Sequence, residues 1–350
     1  MLDFILNGVG HGRVAEKLLA CNFDPNCLRP YIGKDGRAYI TVNQKGVLKA
    51  VPISNADATL RKDDWKILDE AIVKAAKPRL RAVADLRSRG LQFTIPNGMG
   101  KTVLETERMG DINDASISMD GIRQNANDRP EFDLINLPLP IIHKDFQYSA
   151  RQIQASRTGG SPLDTSTAEL ASRKVAEMAE KLLLGVASSY AYGGGTIYGY
   201  TNMLGRLTKT LTSPASSGWT GATLLGEVLD MRQLSQDAYH YGPYMLYTAP
   251  AWDKYLDDDF KANSDITLRE RIAKIDGIEG ITTLDYLTGY AAILVQMTSD
   301  VVREVVGMDI TTVQWETMGG LQLNFKVMAI LVPQLRADIN GNTGIVHGSV

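Results

Sequence analysis

Glycine-rich stretches of the sequence are candidate phosphate sites, because backbone amides in such loops can bind phosphate. Three stretches resemble phosphate-binding loops, and each fails on spacing. Residues 8–13 read GVGHGR, with Arg13 where a dinucleotide fingerprint needs its third glycine. Residues 100–102 copy the end of a P-loop, but the first glycine of that motif would fall at Ile95. Residues 193–195 are three glycines after a long predicted helix, which suits a flexible connector. The sequence therefore predicts no nucleotide or cofactor site.

Residues that could perform catalysis or bind a metal are scattered. No serine stands in a Gly-x-Ser-x-Gly elbow. The histidines lack a metal-type partner four residues away: His11, His143, His240 and His347. Cys21 and Cys27 are too few for a disulfide framework or a zinc site, so we interpret both as ordinary thiols. The acidic run at 257–259 is typical of a solvated helix end, with cation binding as the alternative. We expect no catalytic residues and no metal, hence no enzyme.

Composition limits the class of protein. The chain has 350 residues, of which 44% are hydrophobic and 22% charged, which is typical of a soluble globular chain of about two domains. The net charge of -3 argues against a protein held to nucleic acid mainly by a basic surface, although weak contact remains open. No apolar run approaches the roughly 20 residues of a membrane span. The early Asp3 and the lack of a basic start predict no secretory signal, hence cytoplasmic synthesis.

The N-terminal part changes character near residue 60. Residues 1–60 are rich in turn formers, with short β-type runs at 38–42 and 47–53, and they cannot build a core of their own. A helix then opens at residues 61–64. Its apolar stripe consists of Trp65, Leu68, Ile72 and Ala76. Pro78 ends or kinks this helix, and residues 80–86 continue the helical pattern.

The middle of the chain alternates between strands and one long helix. Runs at 91–96, 101–109, 115–122 and 132–142, punctuated by Asn, Asp and Gly, predict a long two-stranded excursion that is marginal by itself. A helix is predicted over 165–184, where Ser166 and Glu169 have capping-box spacing and Gly185 ends it. Its stripe is Ala171, Val175, Met178 and Leu182, which predicts packing against a single layer.

The C-terminal half mixes both element types. Helices are predicted at 223–239, 251–260 and 268–275, with apolar runs at 244–248, 278–283 and 291–296. After Gly307 two strands are predicted, at 310–316 and 321–332. The whole chain therefore reads as α+β.

An ordered set of sequence matches carries a resemblance to a known family. The set comprises Asn136 to Phe146 (NLPLPIIHKDF), Arg151, Ser156-Arg157, Gly159-Gly160, Leu163 to Thr165, Arg173 to Glu177, the Trp65 helix, Gly242 to Trp252 and residues 301–332 with Gly307 to Ile310. Taken along the chain, these stretches resemble the encapsulin and linocin-like branch of the major capsid proteins, which have the Hong Kong 97-type fold of tailed bacteriophages. The resemblance covers residues 61–340 and contains no catalytic motif.

The resemblance implies a tile of four parts. Residues 61–84, 146–195 and 307–350 would form a peripheral domain with the spine helix 165–184. Residues 85–145 would form an extended loop, residues 196–306 an axial domain that meets its copies at five- and six-fold axes, and residues 1–60 an N-terminal arm laid over neighbours. Contacts between subunits are expected from Tyr31, Tyr39, Ile40, Val42, Lys101, Arg108 and Arg129.

The implied function is a major capsid protein that self-assembles into the icosahedral head around double-stranded DNA. The alternative is an encapsulin-type compartment around cargo enzymes. The expected partners are further copies in pentamers and hexamers, then portal, scaffold or cement proteins, and packaged DNA through weak non-specific contact, with no membrane. The expected location is the virion, after assembly in the host cytoplasm. Basic residues for an inner face would be Arg61, Lys62, Lys66, Arg173, Lys174 and Lys181, with solvated or inter-subunit ion pairs equally open.

Overall fold

The structure is a computed structural model, and it describes residues 4–6, 9–11, 29–44, 47–52, 60–109, 119, 132–158, 165–260, 266–337 and 341–350. Its α-helices are α1 (Lys62–Ala76), α2 (Arg81–Ser88), α3 (Ala150–Thr158), α4 (Ser166–Leu184), α5 (Gly221–Asp237), α6 (Asp253–Leu256) and α7 (Leu268–Ala273). Its strands are β1 (Phe4–Leu6), β2 (Val9–His11), β3 (Tyr31–Ile32), β4 (Ala38–Gln44), β5 (Val47–Pro52), β6 (Gln92–Thr94), β7 (Val103–Met109), β8 (Phe132–Pro138), β9 (Ile142–Ser149), β10 (Ala191–Tyr192), β11 (Gly195–Thr196), β12 (Leu207–Thr210), β13 (Tyr244–Thr248), β14 (Ile278–Thr283), β15 (Ala292–Gln296), β16 (Val302–Thr317), β17 (Gln322–Leu335) and β18 (Ile345–Ser349). The predicted α+β class is confirmed.

The first of two compact units comprises residues 1–102, 139–187 and 303–333. Its sheet has the strand order β6-β16-β17-β9, with β9 antiparallel to β17. Phe325 on β17 lies at the centre of an aromatic cluster, with ring centroids 5.1 Å from Phe146, 5.6 Å from Tyr148 and 6.0 Å from Trp65. The apolar stripe predicted for α1 is buried throughout, so the predicted buried face of that helix is confirmed.

A close approach of two glycines explains one wrong strand boundary. The predicted strand began after Gly307, whereas β16 begins at Val302 and runs straight through that residue. A Cβ on Gly98 would lie 2.4 Å from the Gly307 backbone. Glycine inside a strand marks such an approach of another backbone, rather than the end of the strand.

The long helix α4 ends as predicted and begins within a residue of its predicted start, but the predicted capping box is wrong, because the N-cap is Thr165, whose side chain makes no capping hydrogen bond. The helix also buries a wider face than predicted. Gly185 terminates it in the left-handed conformation, with φ of 79°. Met178, assigned to the buried stripe, is 44% exposed, whereas Leu183 and Glu180 are each 1% exposed. The prediction of packing against a single layer is therefore wrong, because α4 contacts α1, α2 and β9.

The second unit comprises residues 103–138, 188–302 and 334–350. Its sheet has the order β12-β18-β15-β13-β14, with every residue of β13 and β15 buried. The predicted runs at 244–248 and 278–283 coincide with β13 and β14. The helix predicted at 251–260 is wrong beyond Leu256, because the following backbone pairs with the segment before α7: Leu268 donates to the Asp258 carbonyl and Phe260 to that of Ile266.

The four-part division of the tile remains a prediction, and two of its details differ from the structure. The helix α2 continues to Ser88, past the boundary drawn at residue 84. The last strand, β18, was placed with the peripheral segments but pairs with β12 and β15. Among the described helices, none is long and apolar enough to span a membrane.

Candidate functional site

The segments that resembled phosphate loops have structural roles where they are described. Residues 193 and 194 join β10 to β11 as a two-residue turn, with φ of 59° and 76°. Positive φ at both positions is the signature of a tight hairpin turn that favours glycine. The interpretation of this stretch as a flexible connector is therefore wrong. Gly98–Gly100 forms a short 3-10 turn followed by the exposed Lys101, and residues 12–28, with both cysteines, lie outside the described residues.

One carboxylate of the acidic run at 257–259, that of Asp257, forms an ion pair. Asp257 accepts from Arg269 Nε at 2.8 Å, and Asp253 accepts from the same guanidinium at 2.8 Å. These carboxylates raise the pKa of Arg269, against the opposing effect of its partial burial. No group of three or more His, Cys, Asp or Glu side chains that could hold a metal is present among the described residues.

An element with an exposed apolar surface is the hairpin arm, defined here as β7 and β8. The two strands pair antiparallel from Val103↔Pro138 to Met109↔Phe132. Leu134 and Ile135 are 64% and 41% exposed. An isolated two-stranded hairpin is marginal in water, and these two apolar side chains are exposed within their own unit, whereas Leu137 at the base of the arm is buried. The predicted strand at 115–122 lies outside the described residues, apart from the exposed Met119.

The glycine turn supports the base of the hairpin arm. Asn136 on β8 donates from Nδ2 to the Gly193 carbonyl at 2.9 Å. A Cβ on Gly195 would lie 2.0 Å from the Asn136 carbonyl oxygen, so only glycine allows this approach. The direction in which the arm leaves its unit is thereby set by backbone contact.

The N-terminal segment is anchored to helix α1. Arg29 and Asp69 form a buried ion pair at 2.6 Å, and the Arg29 guanidinium lies 4.3 Å from the centre of the Trp65 ring. Trp65 donates from Nε1 to the Pro30 carbonyl at 3.0 Å, and Ile32 donates to the Leu60 carbonyl at 2.9 Å. Residues 29–32 of the predicted N-terminal arm are thus held by contacts within their own chain, and contact of the arm with neighbouring copies stays a prediction.

The predicted contact residues of the N-terminal segment lie together on the β3-β4-β5 sheet. The rings of Tyr31 and Tyr39 stack at 6.1 Å, and both are half-buried, as are Ile40 and Val42. Tyr39 donates to Asp35 at 2.6 Å, which raises the pKa of Tyr39 and lowers that of Asp35. Tyr31 and Tyr39 therefore share one face of this sheet, and Ile40 and Val42 lie on the opposite face.

The remaining predicted contact residues are separated from that sheet in sequence. Lys101 is exposed beside the base of the hairpin arm. Arg108 has only its backbone described, on β7, and Arg129 lies outside the described residues. The structure therefore brings four of the seven predicted contact residues together, and the contacts themselves stay a prediction.

The candidate basic residues are partly engaged on their own helices. Arg173 and Lys174 pair with Glu177 at 3.5 Å and 2.8 Å, and Lys66 lies 3.9 Å from Glu70. Exposed pairs of this kind contribute little to stability. Their geometry is that of surface ion pairs along a helix, the alternative that the sequence left open.

A buried charged cluster, which sequence reasoning missed, joins α2, α4 and β16. Arg87 donates to Glu304 at 2.8 Å and to Asp309 at 3.2 Å. Burial raises the pKa of Asp309 to about 6, although Arg87 opposes the shift. Glu180 accepts from the Ala82 and Val83 amides, at 2.7 Å and 3.3 Å, at the start of α2.

Burial also raises the pKa of Glu180 to about 7. Two buried carboxylates, those of Glu304 and Asp309, thus share the Arg87 guanidinium, while the third, that of Glu180, is held by backbone amides. This arrangement locks helices to the sheet and offers no access to a substrate.

Comparison with known proteins identifies relatives that form shells. The model of a family described as a family of unknown function, DUF6260, matches residues 55–348. The type 1 encapsulin shell protein EncA of Myxococcus xanthus is 24% identical over 294 residues, which covers 81% of this chain and 93% of EncA. The prediction of a structural protein rather than an enzyme agrees with this relative.

Solved structures share the architecture at low sequence identity. The virus-like particle from Pyrococcus furiosus has a TM-score of 0.55 and 18% identity, covering 81% of this chain and 98% of that chain. The capsid of Myoviridae phage XM1 has a TM-score of 0.50 and 9% identity, covering 71% of this chain and 85% of that chain. The predicted fold and the suspected branch are confirmed. The chain has the Hong Kong 97-type fold, and it belongs to the DUF6260 family.

Proposed function

We propose that this chain is the repeating subunit of a self-assembling closed shell, which associates with further copies of itself in pentamers and hexamers. The observation that carries the proposal is the hairpin arm, a two-stranded ribbon with Leu134 and Ile135 exposed. Such a ribbon gains stability when its apolar side chains pack on another surface. A neighbouring subunit of a shell supplies that surface in every copy.

Each unit, the hairpin arm and the β3-β4-β5 sheet would have a separate role in the shell. The unit with α4 would be the peripheral domain, the unit with the five-stranded sheet the axial domain, and the hairpin arm the extended loop that reaches a neighbour. The β3-β4-β5 sheet would present Tyr31, Tyr39, Ile40 and Val42 to an adjacent copy. The anchor at Arg29 would fix where that sheet leaves its own tile.

For the content of the shell, we propose double-stranded phage DNA, enclosed in a head assembled in the host cytoplasm. The support is length: the match to EncA covers 93% of that protein but 81% of this chain, and the β3-β4-β5 sheet precedes residue 55, where the family match begins. A minimal compartment tile does not require that extension. The net charge of -3 suits a container that holds DNA without binding it tightly.

A compartment for cargo enzymes is the second candidate. It is favoured by the match to EncA along nearly the whole length of that shell protein. The two candidates share the subunit and differ in what the particle contains.

Assembly and content can be tested separately. The full chain, purified and examined by sedimentation and negative-stain electron microscopy, should form pentamers, hexamers or closed particles. A stable 38.3 kDa monomer at high concentration would contradict the shell proposal. Particles from the native source should then protect DNA from nuclease and show a portal or tail. Tailless particles with a co-purifying enzyme and no protected DNA would instead establish the compartment.

A further inference from the structure

The buried charged cluster around Arg87 contains more acidic than basic groups. The carboxylates of Glu180, Glu304 and Asp309 are 1%, 3% and 4% exposed, and the guanidinium that pairs within the cluster is that of Arg87. With every group ionised, three negative charges would stand against one positive charge inside the core. A buried carboxylate without a cationic partner is costly, so it takes up a proton instead. The charge count alone therefore indicates that the folded cluster binds a proton.

Glu180 is the carboxylate that has no cationic partner. Arg87 pairs with the other two, whereas Glu180 accepts only from two backbone amides within the described part of the chain. Burial raises the pKa of Glu180 to about 7, and the carboxylates of Asp85 on α2 and Glu304 on β16 act in the same direction. Its proton is therefore exchanged in the neutral pH range.

Helix α2 is held near both of its ends by this cluster. Its first turn donates the two amides to Glu180 on α4, and Arg87 in its last turn pairs with both carboxylates on β16. The helix has eight residues and follows a 3-10 turn that contains Pro78. Leu80 between the two has a non-helical ψ of 63°. The first turn of α2 can thus leave α4 without unfolding a longer helix, while Arg87 keeps the other end on β16.

A small void lies at the same interface. It has a volume of about 10 Å³ and is lined by apolar side chains of α2, α4 and β17, among them Val83, Leu183 and Leu331, together with Glu304. Atoms that face a void lose part of their dispersion contacts. The contact of α2 with α4 and the sheet is therefore incompletely packed beside the charged cluster.

We propose that the first turn of α2 is a proton-dependent latch, which is closed on α4 while Glu180 is protonated and opens when that group ionises. Because the pKa of Glu180 is raised in the closed form, the closed form is most stable below about pH 4.5 and loses stability as the pH rises through 7. The packing of the first unit would thus respond to pH near neutrality. The latch belongs to one subunit, so it does not depend on the proposed shell.

Hydrogen exchange of the full chain, followed by mass spectrometry from pH 5 to pH 8, would test the latch. After correction for the intrinsic rise of exchange with pH, the opening constant of residues 82–85 should rise with pH. The pKa of Glu180 moves from its ordinary value of 4.5 in the open form to about 7 in the closed form, which predicts a rise of about 70-fold. Residues 65–76 of α1 contain no member of the cluster and should not show this rise.

Glu180→Gln should abolish the rise, because glutamine does not titrate. Glu169→Gln is the matched control, since it removes an exposed carboxyl group from the same helix, and it should behave like the wild type. Asp85→Asn keeps Glu180 but removes a neighbouring negative charge, so its rise should be centred at a lower pH.

Equal rises in the wild type and in Glu180→Gln would overturn the inference. An equal rise in residues 65–76 and 82–85 of the wild type would overturn it as well, because the subunit would then open as a whole.

Discussion

Replacing Glu180 by glutamine should remove an unusual pH dependence of stability. The carboxyl group is 1% exposed, and burial raises its pKa from an ordinary value of 4.5 to about 7. Because the pKa is raised in the folded state, the folded protein holds the proton more tightly than the unfolded chain. The stabilisation from this group is therefore complete below about pH 4.5 and is lost as the pH rises through 7.

The magnitude follows from the size of the shift. A difference of about 2.5 pKa units corresponds to about 3 kcal/mol, at 1.36 kcal/mol per unit. Between pH 5 and pH 8 the wild type should lose nearly all of that free energy of unfolding in addition to what its other groups contribute. The amide oxygen of the glutamine variant can still accept the shorter hydrogen bond, from the Ala82 amide. Its NH₂ group replaces the second carboxylate oxygen and cannot accept from the Val83 amide.

Urea unfolding of the dissociated subunit, repeated from pH 5 to pH 8, would measure the effect. Asp309 also titrates from a buried site, but it is present in both proteins, so the difference between their curves isolates Glu180. Glu169→Gln serves as the control, because it removes an exposed carboxyl group from the same helix. Parallel curves for the wild type and Glu180→Gln would refute the reasoning.

Further changes test the other contacts. Arg87→Met should lower the free energy of unfolding by about 3–5 kcal/mol, because it leaves two buried carboxylates unpaired, and urea unfolding at pH 8 would contradict this if the midpoint stayed unchanged. Gly195→Val should destabilise the base of the hairpin arm by about 2 kcal/mol or more, because the new Cβ would meet the Asn136 carbonyl. If thermal unfolding and proteolysis of the arm were both unaltered, this prediction would be wrong. Removing residues 1–60 should lower the free energy of unfolding of the remaining chain by about 3 kcal/mol, because Asp69 loses its partner Arg29. A chain that begins at Arg29 should unfold in urea at the midpoint of the full chain.

Much of the candidate contact surface was predictable, for a local reason. Strand and turn patterns in residues 1–60 and 101–138 indicated segments that cannot form a core of their own, and alternation within a strand shows which side chains share a face. The structure places Tyr31 and Tyr39 together on one small sheet. The anchor of that sheet was missed, because Arg29 and Asp69 are 40 residues apart and carry no shared pattern.

Local signals also fixed the ends of the long helix, but its buried face depended on more than one neighbour. Gly185 acts within a few residues, so α4 ends where that glycine places its end, whereas the capping box predicted for Ser166 and Glu169 does not form at its start. Met178 was assigned to the buried stripe, yet it is 44% exposed within the described part of the chain. Glu180 carries no local signal of burial, yet it is 1% exposed and accepts from two amides of α2.

The sequence alone determined the element types and the helix that ends at Gly185, because periodicity and turn residues act over short stretches of chain. It also carried the likeness to capsid proteins and showed no catalytic pattern. Only the tertiary structure decided which charges are buried and that Gly98 meets Gly307. These depend on segments distant in sequence that pack against one another, and packing sets burial, close approach and strain.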